Sequence, residues 1–356
     1  MARICIISPS LKMGGIERAL TVLANYFADR GHAVSFISCQ KTEPFYTLDP
    51  KIRFLEFDYI RTVGSFSKVL YYFNLIKFLR RSVSGLKPDA VLSFGDAFNP
   101  LVLLALYGKK VPVYISDRTS PDFPFNPLVK LGKNWLYPKS AGFIAQTKRA
   151  ADFNATKFGN RLNIKIIPNA ISKIPQKPEI ERGQQIVYIG RLSREKGVSR
   201  LISAFAEVKH KDWKLVLAGD GPERASLQLQ AADLNIQKRV EFLGKVKDIS
   251  TLLAQSSVFV LPSYVEGFPN ALCEAMSAGL PAVCFDSIPH EELIEHGKNG
   301  FVVPGGNIAE LTNILSQLIE DAELRKRVGF NAAEVSERLS LPKIGSEYLK
   351  FIFKLN

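Results

Sequence analysis

Glu266-Gly-Phe-Pro-Asn-Ala-Leu-Cys-Glu274 sets two carboxylates eight positions apart around a Gly-Phe-Pro-Asn turn. Val258-Phe-Val-Leu-Pro262, just upstream, is a short apolar run of the kind that forms a buried strand. Ala271 to Ala278, just downstream, reads as the opening of a helix. Glu266 and the backbone of Gly267, Phe268, Pro269 and Asn270 are therefore expected on a strand-to-helix loop, with Glu274 about one turn into the helix. Free amides at a helix N-terminus attract an anion such as a phosphate. Carboxylates beside them can accept hydrogen bonds from sugar hydroxyls. One loop of this kind has the means to hold both halves of a nucleotide sugar.

The same strand-loop-helix rhythm runs outward in both directions. Upstream, Arg3–Ser8 reads as a strand, a Gly14-Gly15 loop follows, and a helix from about Glu17 to Arg30 ends at Gly31 before the next strand, Ala33–Cys39. Ala90–Phe94, Val113–Ser116 and Gly142–Ala145 continue the series. A second series reads Ile186–Ile189, Lys214–Leu217, Val240–Phe242, Val258–Leu261 and Ala282–Phe285, with helical patterns between. Alternation of this kind argues for parallel sheets covered by helices. Pro168 to Pro178 holds three prolines and few large apolar residues, which places the linker there. The expectation is an α/β chain of two doubly wound, Rossmann-like domains, 1–168 and 169–341, facing a cleft with ligands at the carboxyl ends of the strands.

Glu266 and Glu274 resemble the E-x7-E motif of retaining glycosyltransferases of the GT-B fold, in particular the large glycosyltransferase family 4 (GT4). Four further stretches resemble that family in the family's order: Gly14-Gly15-Ile16-Glu17-Arg18 its glycine-rich loop, Ile167-Pro168-Asn169-Ala170 its inter-domain strand end, Tyr188-Ile-Gly-Arg-Leu-Ser-Arg-Glu-Lys-Gly197 its donor-phosphate loop, and Leu217-Ala-Gly-Asp-Gly-Pro222 the next strand and turn. The resemblance implies that the last helix, about 342–356, crosses back to the first domain. It also implies that Arg191 and Lys196 grip the donor diphosphate, that Glu274 binds the ribose hydroxyls and that Glu266 meets the donor sugar near its reacting face. Gly15, Val246 and Leu272 would complete the donor site, with the base near Lys245 and Val246. Taken alone, Arg191-Leu-Ser-Arg-Glu-Lys196 would be a solvated charge run, and Gly219-Asp-Gly-Pro222 a structural turn. A planar guanidinium beside a point-charge ammonium nevertheless suits a diphosphate leaving group.

On the first-domain side, Gly14, Glu17 and Arg18 are the acceptor candidates, because a glycine loop opening a helix lets a ligand approach backbone amides. Many relatives carry a histidine after the strand corresponding to Val113–Ser116. Here that place reads Asp117-Arg118, and none of the four histidines can substitute by position. Asp117 is then a candidate to orient a sugar, and Arg118 to pair with a phosphate or carboxylate; a local ion pair is the competing reading. No Asp-x-Asp occurs and the histidines lack metal-ligand spacing. A metal-chelated diphosphate is therefore not expected, and the expectation is a metal-independent enzyme without cofactor, in which basic residues clamp the leaving group. The resemblance implies retention of configuration, with the leaving phosphate oxygen taking the acceptor's proton.

Charge is unevenly placed. Of 47 basic and 34 acidic side chains, residues 1–170 hold 24 and 11, which accounts for the whole net charge of +13. A basic half expects an anionic partner. Ser67 to Arg81 is amphipathic and basic, with Leu70, Phe73, Ile76 and Lys77 at helical spacing. Phe123 to Tyr137, with Lys130, Lys133 and Trp135, is a second aromatic-basic segment. Helices of this composition lie in membrane interfaces, although a core-packing helix with a solvated face has the same pattern. No nucleic-acid module is visible and no apolar run approaches the roughly 20 residues of a membrane span. The four scattered cysteines read as buried thiols of a reducing compartment. The expected protein is a peripheral enzyme on the inner face of the cell membrane. It would move a sugar, with UDP-sugar as the expected donor, to a polyprenyl-diphosphate-linked glycan. A non-catalytic nucleotide-sugar-binding subunit is the alternative.

Overall fold

A computed structural model of the 356-residue chain describes residues 1–59, 65–171, 173–174 and 180–355. The chain divides into two compact units, Met1–Ala170 with Leu341–Asn356, and Ile171–Ser340. The linker expected over 168–178 lies partly outside the described residues.

In the first unit seven strands form one parallel sheet: β1 (Arg3–Ser8), β2 (Ala33–Ser38), β3 (Arg53–Glu56), β4 (Ala90–Phe94), β5 (Val113–Ser116), β6 (Gly142–Ala145) and β7 (Ile164–Ile166), in the order β3-β2-β1-β4-β5-β6-β7. β1, β4, β5 and β6 are buried along almost their whole length, as parallel strands covered on both faces must be. β3 and β7 are edge strands with mostly exposed or half-buried residues. They carry no apolar run, which is why sequence patterning passes over them. Cys5, Ile7, Ile37, Val91, Ile115 and Phe143 centre one hydrophobic core, covered by the helices Ser65–Leu86 and Asn99–Leu106.

The helix Ser65–Leu86 packs through Tyr71, Leu75, Leu79 and Val83, four apart. Leu70 and Phe73, which the sequence pattern sets beside Ile76, are exposed. The stripe that the core takes is thus rotated from the one the spacing suggested, and a second apolar stripe stays in water.

The terminal helix Leu341–Phe353 belongs to the first unit. The Tyr114 hydroxyl donates to the Ile352 carbonyl at 2.9 Å, and Tyr26 donates to the Pro342 carbonyl at 3.2 Å. A Cβ at Gly345 would come within 2.2 Å of the Tyr26 ring, so glycine is what lets this helix reach its seat.

The second unit is a six-stranded parallel sheet of β8 (Gln185–Ile189), β9 (Lys214–Ala218), β10 (Val240–Gly244), β11 (Val258–Leu261), β12 (Ala282–Phe285) and β13 (Phe301–Val303), in the order β10-β9-β8-β11-β12-β13. β13 is a further edge strand that patterning does not reveal, a three-residue run between Gly300 and Pro304. Both sheets are doubly wound. Strand order reverses between β1 and β4 in the first and between β8 and β11 in the second, and ligand sites of such sheets open at these points.

Candidate functional site

The second unit's reversal point carries the quoted motif. The loop after β8 runs from Gly190 to Gly197, and the loop after β11 from Pro262 to Pro269, where the helix Asn270–Ser277 begins. The two loops meet. Lys196 Nζ lies 2.7 Å from Glu266 Oε1, and the Ser263 hydroxyl donates to the same oxygen at 2.7 Å. The Tyr264 amide donates to the Glu195 carbonyl at 2.8 Å. Arg200 donates to the Pro262 carbonyl at 2.5 Å, with its guanidinium 3.7 Å from the Tyr264 ring centroid and 4.0 Å from that of Phe285. Arg191 extends exposed from the same loop, and Arg194 and Glu195 are exposed beside it.

Glycines make these contacts possible. Gly197 takes φ +63°, and a Cβ there would lie 2.2 Å from the Pro262 carbonyl oxygen. A Cβ at Gly219, whose φ is +150°, would lie 1.7 Å from the Gly190 oxygen. The Gly190 amide donates to Ala218 and the Leu192 amide to Asp220. The Gly219–Pro222 turn is therefore a brace for the 190–197 loop. Tyr188 sits beneath that loop, its hydroxyl donating to the Arg191 carbonyl at 2.9 Å. Burial, and then the nearby Glu266 and Glu195, push its phenol well above the ordinary range.

Glu274 is buried on the second turn of its helix, flanked by Leu272 and Cys273 in the core. Phe268 and Pro269 are buried, and Gly267 and Asn270 half-buried. Val246, half-buried, follows β10. Within this unit, then, the two loops bring Lys196 and Glu266 into contact, with Arg191 on one loop and Glu274 on the helix that continues the other. Ser263 was not foreseen. A serine directly after a buried strand is an ordinary turn residue, and only the fold aims it at Glu266. Arg200 was missed for a similar reason, since its role depends on reaching a carbonyl 62 positions away.

In the first unit Gly14 is the N-cap of the helix Gly15–Asp29, and its amide and carbonyl both pair with the Tyr46 hydroxyl, at 3.3 and 3.1 Å. Glu17 folds back over the loop. Its carboxylate accepts from the Ser10 hydroxyl at 2.8 Å and occupies the space a Cβ on Gly14 would need. Nothing lies within 4 Å of a Cβ at Gly15, and Arg18 is exposed.

Asp117 and Arg118 form the heart of a polar cluster. Asp117 accepts from Tyr137 at 2.5 Å and from Asn99 at 3.2 Å, and pairs with Lys133 at 2.7 Å. Lys133 also meets Asp96 at 3.2 Å, and Asp96 accepts from the Arg118 and Thr119 amides. Lys133 is thus a half-buried partner of two carboxylates, with 12% of its side chain exposed, and not part of the aromatic-basic surface where the sequence pattern set it. Burial first and Asp96 second raise the Asp117 carboxyl to about 6. Arg118 lies over the Phe94 ring, donates to the Tyr348 hydroxyl at 3.0 Å and donates to Asn169. Burial lowers its pKa. Asp96 with Asn99, Asp117 with Arg118, and Lys133 with Tyr137 come from three separate segments, so no local sequence signal joins them.

Among the described residues no group of three or more His, Cys, Asp or Glu side chains has the arrangement of a metal site. No helix of the described residues is long and apolar enough to cross a membrane.

Comparisons with known proteins extend over nearly the whole chain. Residues 170–335 match the family model for glycosyl transferases group 1, and residues 13–173 match that for glycosyltransferase family 4. An uncharacterised glycosyltransferase of Haemophilus influenzae is 31% identical over 340 residues, 94% of this chain and 95% of that protein. A Campylobacter jejuni protein is 27% identical over 360 residues, 99% of this chain and 98% of that one. Its name is GalNAc-alpha-(1->4)-GalNAc-alpha-(1->3)-diNAcBac-PP-undecaprenol alpha-1,4-N-acetyl-D-galactosaminyltransferase. The crystal structure of Anabaena HepE in complex with UDP superposes with a TM-score of 0.81 at 21% identity, covering 99% of this chain and 100% of that one, a likeness of fold. The motifs, the two doubly wound sheets and these matches agree: the chain belongs to glycosyltransferase family 4, the group 1 glycosyl transferases, and is a glycosyltransferase of the GT-B fold.

Proposed function

We propose that this protein is a retaining, metal-independent transferase that moves a sugar from a nucleotide-diphosphate sugar to a hydroxyl of a lipid-linked glycan precursor, forming an α linkage. The observation that carries the reading is the contact between the two loops at the second unit's reversal point, with Lys196, Glu266 and Ser263 joined and Arg191 exposed beside them. In this reading Arg191 and Lys196 clamp the diphosphate. Glu274 accepts from the ribose hydroxyls, and Glu266, held by Lys196 and Ser263, meets the donor sugar. Gly15, Val246, Gly267, Phe268, Pro269, Asn270 and Leu272 shape the remaining donor contacts. The Gly14 loop, Glu17, Arg18 and Arg118 serve the acceptor side, and Asp117 orients a sugar through the cluster it anchors. The bond from the anomeric carbon to the diphosphate breaks while the acceptor oxygen attacks from the same face. The leaving phosphate oxygen takes the acceptor's proton, so stabilising the diphosphate charge is the main catalytic device.

UDP as the nucleotide is supported by the UDP complex of HepE, and a polyprenyl-diphosphate acceptor by the undecaprenol-linked acceptor in the name of the Campylobacter relative. The basic charge of the first unit supports work at an anionic inner membrane face. A thermal-shift panel of UDP, GDP, ADP and CMP, and then their sugar derivatives, without metal, tests the donor site, since ligand binding stabilises the fold by mass action. A selective shift with one diphosphate supports the reading. No shift with any of them, in folded protein, overturns it.

A further inference from the structure

A cavity lined by residues of the first unit lies apart from the loops described above. It measures about 460 Å³, within the range of small-ligand sites, about 300–1,000 Å³. Its walls come from the carboxyl ends of three strands: Gln40 and Lys41 follow β2, Asp58 and Tyr59 follow β3, and Phe98 follows β4. Tyr72 closes it from the helix Ser65–Leu86. This is the side of a doubly wound sheet on which ligands bind.

The lining has two kinds of chemistry. One wall is aromatic. Tyr59 and Tyr71 ring centroids are 6.0 Å apart, and Tyr71 and Tyr72 are 5.4 Å apart at 80°. Tyr71 is buried with its hydroxyl donating to the Cys39 carbonyl, whereas Tyr72 is exposed. The rim is polar: Gln40 is exposed, and Lys41 pairs with Asp58 at 2.8 Å. Because Asp58 neutralises Lys41, the rim offers hydrogen bonds of both kinds with no excess charge, which disfavours a free phosphate. The polar rim equally disfavours an acyl chain.

A pyranose ring matches this pair of surfaces. Its C–H face is weakly positive and packs on the negative face of an aromatic ring, while its equatorial hydroxyls point outward to amide, ammonium and carboxylate. The segment bearing Gln40 and Lys41 is tied to the glycine loop. Thr42 accepts from the Leu11 amide at 3.4 Å, and the Phe45 amide donates to the Leu11 carbonyl at 2.9 Å.

We propose that this cavity is a saccharide subsite, stacking one neutral pyranose ring on Tyr72 and Tyr59 and reading its hydroxyls with Gln40, Lys41 and Asp58. The inference rests on the transferase reading in one respect, that the ring belongs to a non-reacting sugar of the glycan acceptor. Removing one stacking ring is expected to raise Kd about tenfold.

The test is saturation-transfer NMR on the full chain with methyl α- and β-glycosides of glucose, galactose, N-acetylglucosamine and N-acetylgalactosamine. Tyr72→Ala and Gln40→Ala alter exposed side chains, and circular dichroism checks that each variant folds. The expected result is transfer to at least one glycoside in the wild type, with Kd raised about tenfold in Tyr72→Ala and severalfold in Gln40→Ala. No transfer to any glycoside, or transfer of equal strength in both variants, overturns the subsite. The nucleotide panel reads the other unit. Nucleotide binding without glycoside transfer removes the subsite and leaves the transferase; glycoside transfer without nucleotide binding does the reverse.

Discussion

In the proposed reading single side chains decide the chemistry at the second unit's reversal point, and each has a separable signature. Lys196 is held at 2.7 Å from Glu266 and only partly exposed, a position suited to charge that develops as the diphosphate leaves. Lys196→Ala is expected to lower kcat by about 10²-fold with a smaller change in donor KM; unchanged turnover would remove Lys196 from the clamp. Glu274→Ala is expected to weaken donor binding about tenfold, read by calorimetric titration with the nucleotide that the thermal panel selects. Asp117 gives a pH signature. Its carboxyl is raised from the ordinary 3.8 to about 6, so between those values the folded chain holds more protons at this site than the unfolded chain. Stability from this group therefore falls as pH rises from about 4 to about 6. Asp117→Asn removes that slope. Thermal melts of wild type and variant at intervals across this range should show the variant gaining relative to wild type as pH rises. A pH-independent difference would contradict the assignment. Glu266 with Glu274, and Arg191 with Lys196, could be singled out from the sequence because each pair stands in one local stretch. Asp96 and Lys133 were not, because their partners follow other strands, and Ser263 was not, because a turn serine meets Glu266 only once the loop has folded.

At the scale of elements, glycine placement carries the loops. Gly219 holds φ +150° with its α-carbon packed against the Gly190 carbonyl, so Gly219→Ala meets both backbone strain and a collision with main chain. A loss of about 3 kcal/mol is expected, lowering the melting temperature by roughly 5–10 °C. Gly15→Ala is the contrast. A Cβ there meets open space and the residue opens a helix, so the fold should melt within about 1 °C of wild type while transfer activity falls if the loop admits a ligand. Equal melting losses in the two variants would show that steric fit at Gly219 does not set loop stability. Strands buried on both faces were readable as apolar runs. The edge strands β3, β7 and β13 were not, since an edge needs neither length nor continuous hydrophobicity.

Charge separates the two units of the whole molecule. The first, with the terminal helix, holds 27 basic against 12 acidic side chains, and the second 20 against 22. On the first unit, Leu128, Leu131 and Trp135 stand exposed on the helix Pro127–Leu136, and Lys139 lies over both Trp135 and Tyr107. Val69, Leu70 and Phe73 are exposed on the helix Ser65–Leu86, beside Lys68 and Lys77. Each cation near an anionic surface adds about 1 kcal/mol, and the attraction is screened by salt. Co-sedimentation with vesicles should rise with anionic lipid and fall as salt rises from about 0.1 to 0.5 M; Trp135→Ser should weaken it. Binding indifferent to both lipid charge and salt would remove the membrane from the proposal.

By itself the sequence determined the class of fold, two series of parallel strands with helices between, and the family, because apolar periodicity and short motifs are written in consecutive residues. It also determined where the charge lies. Only the tertiary structure decided that the loops after β8 and β11 touch, that Gly219 and Gly197 make this possible, and that Asp117 and Arg118 are drawn into a buried network with Lys133, Asp96, Tyr137 and Tyr348. Those facts depend on which strands become neighbours, and strand order is set by long-range packing that no local stretch of chain encodes.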